Sequence, residues 1–190
     1  LSSFAHIWWG QGPKRKDNPT ISKAVEKFLA LNHDRRFFLY LIYESAHSPY
    51  SPPRSARKRM RKLLGLSKRK RLKAMERYRA EVIAIDDHVG RVMRALERHK
   101  LADNTVVVIT SDHGEIISRQ HCFFIPRMKY RTCHSHSASL YDQVLKIPVV
   151  IAGPGVRPGR RVKQMYQHTD LIPTLLALMG LPKMATAEGR

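Results

Sequence analysis

Residues 78–115 read YRAEVIAIDDHVGRVMRALERHKLADNTVVVITSDHGE, and this stretch decides the fold class. In its first half, apolar residues recur every three or four positions, the spacing of a helix with one buried face. They are Val82, Ile85, Val89, Val92 or Met93, and Leu96. Asp103-Asn104 then predicts a turn, and residues 105–110 are β-branched and continuously apolar, which is typical of a central parallel strand. A helix that leads through a turn into a buried strand indicates an α/β fold.

The flanking sequence repeats these elements. Residues 37–43 and 147–152 are short apolar runs that predict two further buried strands. Residues 21–31 and 170–179 have helical spacing, and Gly180 with Pro182 ends the second helix. Repeats and low-complexity linkers are absent. We therefore predict one α/β domain over residues 1–190, with a mostly parallel central sheet and helices on both faces.

Length and composition restrict the class of protein. The chain has 190 residues, of which 43% are hydrophobic, so it can build a core. No apolar run approaches the roughly 20 residues that a membrane helix needs. The chain begins at Leu1 rather than at a methionine or a signal peptide. We interpret this start as a truncation, which leaves open an upstream signal or membrane anchor.

The formal net charge of +20 has a partly local origin. Thirteen lysines and arginines lie in residues 54–79, where Glu76 is the only acid. We predict that this basic stretch is a helical insertion with a break at Gly65. A solvated helical face is the interpretation we favour. The alternative is a surface that attracts a polyanion: nucleic acid, anionic lipid headgroups or sulfated glycans.

The two cysteines allow two interpretations. Cys122 and Cys133 have ten residues between them in a stretch with no regular pattern. They can pair in an oxidising compartment or remain free and buried. Two cysteines are too few for a disulfide scaffold, and no CxxC pair indicates structural zinc.

The segment Ser111-Asp112-His113-Gly114-Glu115 carries the strongest chemical signal. It directly follows the strand predicted at 105–110, and ligands of open α/β sheets bind beyond the carboxyl ends of strands. There a carboxylate and an imidazole can share one divalent cation, and Gly114 is expected to let the backbone turn tightly. The alternative is a polar turn whose aspartate caps the next element.

Five segments in this order resemble the sulfatase family, in the alkaline-phosphatase-like superfamily. They contain an Ala-His-Ser-Pro-Tyr segment, the Ile-Asp-Asp helix leading to Ser-Asp-His-Gly, a His-Ser-Ala-Ser-Leu-Tyr-Asp segment followed by Lys-Ile-Pro, Gly-Pro-Gly-Val, and Asp-Leu-Ile-Pro-Thr-Leu-Leu. Their positions are 46–50, 78–115, 136–148, 153–156 and 170–176.

The resemblance implies a role for four residues. Asp112 and His113 match two metal ligands, His47 matches a histidine that contacts substrate, and His136 matches a basic residue that binds the ester and assists the leaving group. A divalent metal is implied, with calcium expected and manganese or zinc as alternatives. A cation and cationic side chains would stabilise the charge that gathers on ester oxygens, and an imidazole can protonate the departing oxygen.

Other polar residues near these segments have less specific interpretations. Glu115 is expected to support a ligand rather than to be one. Asp86 and Asp87 lie in mid-helix, where carboxylates pair with arginine or face solvent. His134 is the alternative to His136. His121 is interpreted as an ordinary loop histidine. For His168, a structural role is favoured over the alternative that it approaches the site.

No nucleophile of the family's type is found in the sequence. The sulfatase nucleophile lies in a Cys-x-Pro-x-Arg motif, whereas Cys122 is followed by Pro126 at the fourth position and Arg127 at the fifth. Cys122 also lies after the Ser-Asp-His-Gly segment, which is the wrong order. Ser137 replaces a glycine of the family pattern. We therefore expect the nucleophile and further metal carboxylates upstream of the present chain, which alone should be inactive.

Three functional hypotheses remain. The first is metal-dependent hydrolysis of a sulfate ester. The second is phosphoryl, phosphonate or phosphoethanolamine chemistry on the same scaffold. The third is a non-catalytic binder of anionic lipid or another polyanion, without specific nucleic-acid recognition, because no base-reading motif is present. For the whole protein, a periplasmic, extracellular or membrane-anchored location is expected rather than a cytoplasmic one.

Overall fold

The computed structural model describes most of the chain after residue 17. The described residues are 7–8, 18–117, 122, 124–125, 130–131, 136 and 139–189. They divide between two compact units, the first from Leu1–Lys100 and His113–Lys146 and the second from Leu101–Asp112 and Ile147–Arg190. No helix within the described ranges has the length and apolarity needed to cross a membrane.

Three helices form the body of the first unit. They are α1 (Asn18–Asn32), α2 (Arg54–Leu63) and α3 (Ala74–Arg98). Both α1 and α2 contact α3. The buried face of α1 presents Ile21, Val25 and Leu29 at helical spacing, which confirms the helix predicted over 21–31.

A compact apolar cluster joins α2 to α3. Ala56 and Met60 of α2, with Leu72 of the connection, pack against Ala80 and Ala84 of α3. The small alanines let the two helices approach closely. Gly65 has a φ of 62° and follows the end of α2, which confirms the helix break predicted at this residue. The basic stretch therefore contains a helix, a connection and the first turns of α3.

Short strand pairs complete the first unit. β1 (Ile7–Trp8) pairs in parallel with β2 (Tyr40–Leu41), and β4 (Phe124–Ile125) pairs antiparallel with β5 (Tyr130–Arg131). α4 is a single turn, Asp142–Leu145. β2 is shorter than the strand predicted over 37–43.

The second unit contains one strand pair and one helix. β3 (Val107–Thr110) pairs with β6 (Val149–Ala152), and α5 (Leu171–Leu178) follows a 3₁₀ turn at His168–Asp170. Gly153 closes β6 with φ of 130°, where a Cβ would lie 2.4 Å from the Thr105 carbonyl oxygen. These elements confirm the strands predicted at 105–110 and 147–152 and the helix predicted at 170–179.

The strand pair of the second unit differs from the prediction in two respects. β3 and β6 run antiparallel, with Val107 opposite Ala152, whereas residues 105–110 were predicted as a parallel strand. The strands are also partly exposed, with 38% of Ile109 and 55% of Val150 accessible. A continuous apolar run predicts a buried strand. It does not specify whether the neighbouring strand is parallel or antiparallel, or which elements cover the sheet.

Candidate active site

The Ser111–Glu115 segment begins at the end of β3, as predicted. The chain passes from the second unit to the first between Asp112 and His113. Asp112 is exposed, His113 is half-buried and Glu115 is buried. Within the second unit, the Ser111 carbonyl lies 2.9 Å from His168 Nε2, so this histidine contacts the segment that contains Asp112.

Gly114 is required for a reason that differs from the predicted one. Its φ is not positive, so it does not supply a left-handed turn. Instead, a Cβ at this position would lie 2.0 Å from the Gln143 carbonyl oxygen, and the Gly114 N–H donates to the Val144 carbonyl at 2.7 Å. Glycine therefore permits the backbone around α4 to pack directly on the segment that contains His113.

Three histidines that are distant in sequence meet in the first unit. The ring of His136 stacks on that of His113, with centroids 3.8 Å apart and an interplanar angle of 30°. The ring of His47 meets His136 edge-on, with centroids 5.4 Å apart and an angle of 70°. The structure therefore brings together three of the four predicted site residues. We call them the histidine cluster.

Backbone carbonyls determine which ring nitrogen carries the proton in two of these histidines. Nδ1 of His113 lies 2.8 Å from the Gly114 carbonyl oxygen, and Nδ1 of His47 lies 2.7 Å from the Ser48 carbonyl oxygen. Because a carbonyl oxygen only accepts, each Nδ1 donates a hydrogen, and the lone pair of the neutral ring resides on Nε2. That tautomer suits metal ligation through Nε2.

Glu115 lies beside His136 of the histidine cluster and is 8% exposed. The Tyr50 hydroxyl donates to Glu115 Oε2 at 3.3 Å. The other oxygen, Oε1, lies 3.5 Å from His136 Nδ1, and both atoms are buried without a hydrogen bond among the described residues. An ion pair forms here when His136 is protonated. The structure thus places Glu115 beside His136, and its expected role in support of a ligand stays a prediction.

Two tyrosines surround the Glu115 carboxylate. The rings of Tyr50 and Tyr78 meet edge-on with centroids 5.5 Å apart. Burial raises the pKa of Tyr50 well above its usual range, and the Glu115 charge raises it further. Burial and then the same charge raise the pKa of Tyr78. Both hydroxyls therefore stay protonated, and Tyr50 remains a donor. Sequence reasoning missed Tyr50, although it lies in the 46–50 segment.

A second buried carboxylate fixes the chain next to Tyr50. The Ser51 N–H donates to Glu81 Oε1 at 2.7 Å, and Glu81 is 3% exposed. Burial raises the pKa of Glu81, and the hydrogen bond from Ser51 opposes that shift. This contact ties the segment containing His47 to α3.

The other residues singled out in the sequence have structural roles or lie outside the residues that the structure describes. Asp87 pairs with Arg59 and Asp86 is exposed, which confirms the interpretation of these two carboxylates. Cys122 is disulfide-bonded, so it has no thiol to act as a nucleophile, and the pairing alternative holds for it. Several residues named above lie outside the described residues; they are His121, Pro126, Arg127, Cys133, His134 and Ser137.

The proposed metal ligands are of chemical types that bind divalent cations. Asp112 offers a carboxylate, and His113 offers an imidazole whose tautomer is fixed by Gly114. Within the described ranges, no group of three His, Cys, Asp or Glu side chains is arranged to hold a metal ion. Further ligands would have to come from beyond those residues, and the metal site stays a prediction.

Comparisons with known proteins identify relatives over much of the chain. The family model described as Sulfatase matches residues 6–181. "Uncharacterized sulfatase YidJ" of Escherichia coli (strain K12) is 36% identical over 106 residues, which cover 55% of this chain and 18% of that protein. "Arylsulfatase K" of Canis lupus familiaris is 29% identical over 112 residues, which cover 59% of this chain and 19% of that protein. The chain spans about a fifth of the length of these curated relatives.

Solved structures share the fold at lower identity. The crystal structure of yidJ from Bacteroides fragilis aligns with a TM-score of 0.70 and 23% identity, covering 91% of this chain and 39% of that one. The phosphonate monoester hydrolase SpPMH from Silicibacter pomeroyi aligns with a TM-score of 0.62 and 22% identity, covering 92% and 40%. These similarities confirm the predicted alkaline-phosphatase-like α/β class.

Proposed function

Because the chain belongs to the sulfatase family, we propose that the whole protein hydrolyses a sulfate ester with the help of a divalent metal ion. The histidine cluster is the observation that carries this proposal. His47, His113 and His136 come from three separate segments. The ring centroid of His136 nevertheless lies 3.8 Å from that of His113 and 5.4 Å from that of His47. Such a convergence of imidazoles beside a buried carboxylate suits acid–base chemistry on an anionic ester.

Asp112 and His113 would hold the metal ion in this proposal. Bound there, a divalent cation stabilises the negative charge that develops on the ester oxygens. With the proton of His113 held on Nδ1 by the Gly114 carbonyl, Nε2 would be the atom that binds the metal. Calcium is the metal we propose, with manganese and zinc as the other outcomes of a metal-binding test.

His136 would serve as the general acid. When it is protonated, its Nδ1–H faces Glu115 Oε1 at 3.5 Å, and the proton on Nε2 is the one available to the departing oxygen. Glu115 in turn is held by the Tyr50 hydroxyl. His47, with its Nδ1 fixed by the Ser48 carbonyl, would contact the ester through Nε2.

A histidine substitution with a matched control tests the proposed acid. In the full-length protein, His136→Ala should lower kcat/KM for an aryl sulfate by roughly 10²–10⁴-fold. The control is His33→Ala, which removes an exposed histidine whose ring contacts His99 rather than the cluster. Equal effects of the two substitutions would refute the role of His136.

Metal binding is testable without an activity assay. Calorimetric titration with calcium should show binding to the full-length protein that Asp112→Asn weakens by at least about tenfold, since a charged oxygen ligand is lost. Asp103→Asn is the control, because Asp103 is an exposed carboxylate in the 3₁₀ turn before β3. Unchanged affinity in Asp112→Asn would remove this residue from the ligand set.

Two alternatives are outcomes of the same assays. The fold is shared with a phosphonate monoester hydrolase, so the substrate panel should include phosphonate and phosphate monoesters beside aryl sulfates. A preference for those esters would favour phosphoryl or phosphonate chemistry. Absence of turnover with every ester, together with absence of calcium binding, would favour a non-catalytic binder.

The disulfide at Cys122 supports an exported protein. Disulfides persist in oxidising compartments and are rare in the cytosol. We infer that the whole protein is periplasmic, extracellular or anchored on the outer side of a membrane. Thiol labelling in intact cells tests this inference, because a labelled Cys122 in a cytosolic fraction would contradict it.

A further inference from the structure

Residues 54–73 form a concentrated positive surface in the first unit. We call this segment, which comprises α2 and its connection to α3, the basic platform. It contains eleven lysines and arginines and no acid. The cations on α2 and in the connection are exposed, with only Arg61 half-buried among them. Along α2 the cations run from Arg54 to Lys62, a distance of about 12 Å at the helical rise.

The basic platform is an ordered surface. Its apolar residues Ala56, Met60 and Leu72 are buried against α3. The connection is also held to α2, since Arg61 Nε donates to the Lys70 carbonyl at 3.0 Å and the Leu66 N–H donates to the Arg61 carbonyl at 2.9 Å. The backbone that carries the cations is therefore held in place, which lowers the backbone entropy lost when a ligand binds.

Acidic side chains leave most of this charge uncompensated. Arg59 pairs with Asp87 of α3. Among the described residues, none of the other ten platform cations lies within ion-pair distance of a carboxylate. Such an array creates a local positive potential that attracts polyanions. A helical face whose charges served only solubility could carry both positive and negative side chains, whereas this one carries positive side chains alone.

The basic platform is flanked in sequence by two tyrosines of the candidate active site. It starts four residues after Tyr50, which donates to Glu115, and it ends five residues before Tyr78. The rings of Tyr50 and Tyr78 are in contact, with centroids 5.5 Å apart. Both ends of the platform are therefore close in sequence to tyrosines of the candidate active site, and both lie in the same compact unit as the histidine cluster.

We propose that the basic platform binds a linear sulfated polymer and so holds a polymeric substrate at the histidine cluster. The proposal rests on the proposed sulfatase function, because it names the class of molecule that carries the scissile ester. A linear array of cations beside an ester-hydrolysing site matches a chain with repeated sulfate groups. Nucleic acid fits less well, since residues 54–73 contain no aromatic side chain on which a base could stack.

Binding of a labelled heparin oligosaccharide at physiological salt tests the platform directly. The platform variant replaces four exposed cations with glutamine: Lys68, Arg69, Lys70 and Arg71. The control variant has the same net charge but loses four exposed cations of the second unit: Arg157, Arg160, Arg161 and Lys163. We expect the platform variant alone to lose about tenfold or more in affinity, with a shallower salt dependence. Equal losses would show that only the net charge matters and would overturn the proposal.

Competition distinguishes the possible partners. Single-stranded DNA that displaces heparin at equal charge concentration would overturn the assignment to a sulfated polymer. Binding to phosphatidylserine vesicles that exceeds heparin binding and is lost on replacing the exposed Leu63 and Leu64 would assign the surface to membranes instead. Heparin binding that resists both competitors supports the proposal.

Kinetics of the full-length protein separate this proposal from the proposed function. The platform variant should raise KM for a sulfated polymer about tenfold and leave kcat and the KM for a small aryl sulfate unchanged. Equal changes for both substrates would overturn the positioning role. If neither substrate is hydrolysed while heparin still binds at the basic platform, the proposed function fails and the binding surface stands. Circular dichroism confirms that each variant remains folded.

Discussion

Substitution of Gly114 by alanine should destabilise the first unit strongly. The new Cβ would lie 2.0 Å from the Gln143 carbonyl oxygen and 3.0 Å from its carbonyl carbon. Both neighbours are backbone atoms, so no side chain can rotate away, and the chain must separate by more than about 1 Å to reach ordinary contact. Overpacking of this kind costs about 1–3 kcal/mol. Loss of the 2.7 Å hydrogen bond from Gly114 to Val144 adds about 1 kcal/mol.

Gly90→Ala is the matched control because it adds the same methyl group in a different environment. Gly90 lies in the middle of α3, and the nearest atom to its added Cβ is Arg94 Nη1 at 3.3 Å, the end of a flexible side chain. Alanine in a helix interior is favoured over glycine by roughly 0.5–1 kcal/mol. The two substitutions should therefore change stability in opposite directions.

Urea unfolding followed by circular dichroism measures both effects. We expect Gly114→Ala to lower the free energy of unfolding by about 2–4 kcal/mol and Gly90→Ala to raise it by somewhat under about 1 kcal/mol. If Gly114→Ala remained within roughly 0.5 kcal/mol of the parent chain, the close approach of the α4 backbone would not exist in solution. The assignment of Gly114 to packing would then be wrong.

Three further substitutions test other parts of the first unit. Tyr50→Phe removes the donor to the buried Glu115 and should lower the unfolding free energy by about 1 kcal/mol, whereas Tyr78→Phe, which removes no described hydrogen bond, should change it less. Burial lowers the pKa of His88 from its usual 6.5. The neutral ring therefore contributes to the free energy of unfolding above pH 6.5, and this contribution is lost as the pH falls. In His88→Gln, that part of the pH dependence of the unfolding free energy should disappear. Met60→Ala should cost about 2–4 kcal/mol in urea unfolding, because the side chain is 4% exposed, and a smaller loss would show that the α2–α3 cluster collapses around the cavity.

The sequence allowed the helices to be predicted because their periodicity reflects one buried face. Val25 and Leu29 repeat at helical spacing and are buried. In α3 the helix itself was predicted correctly, but its buried face was not: Val82 is 44% exposed, and the buried residues include Ala84 and His88. The direction of β3 could not be predicted this way. An apolar strand has the same composition whether its neighbour is parallel or antiparallel, and its partner β6 is distant in sequence.

The sequence predicted which histidines belong to the candidate site, but it did not predict which side chains contact one another there. The resemblance placed His47, His113 and His136, and the structure brings their rings together. The bond between Tyr50 and Glu115 joins residues that are 65 positions apart, and no local pattern indicates such a pair. Gly114 shows the same limit, since its requirement depends on the tertiary position of α4.

The arrangement around Glu115 is better explained by chemistry than by stability. Burying a carboxylate is unfavourable unless strong partners replace its water. Glu115 has a single long hydrogen bond, 3.3 Å from Tyr50, and its other oxygen faces His136 at 3.5 Å with neither atom hydrogen-bonded among the described residues. A polar pair left in this state costs about 1–3 kcal/mol per unsatisfied group, a loss that the apolar helix contacts must offset. An unsatisfied buried pair calls for a ligand or proton that completes the hydrogen bonding, and this pair includes the ring nitrogen of His136, whose ring stacks on that of His113.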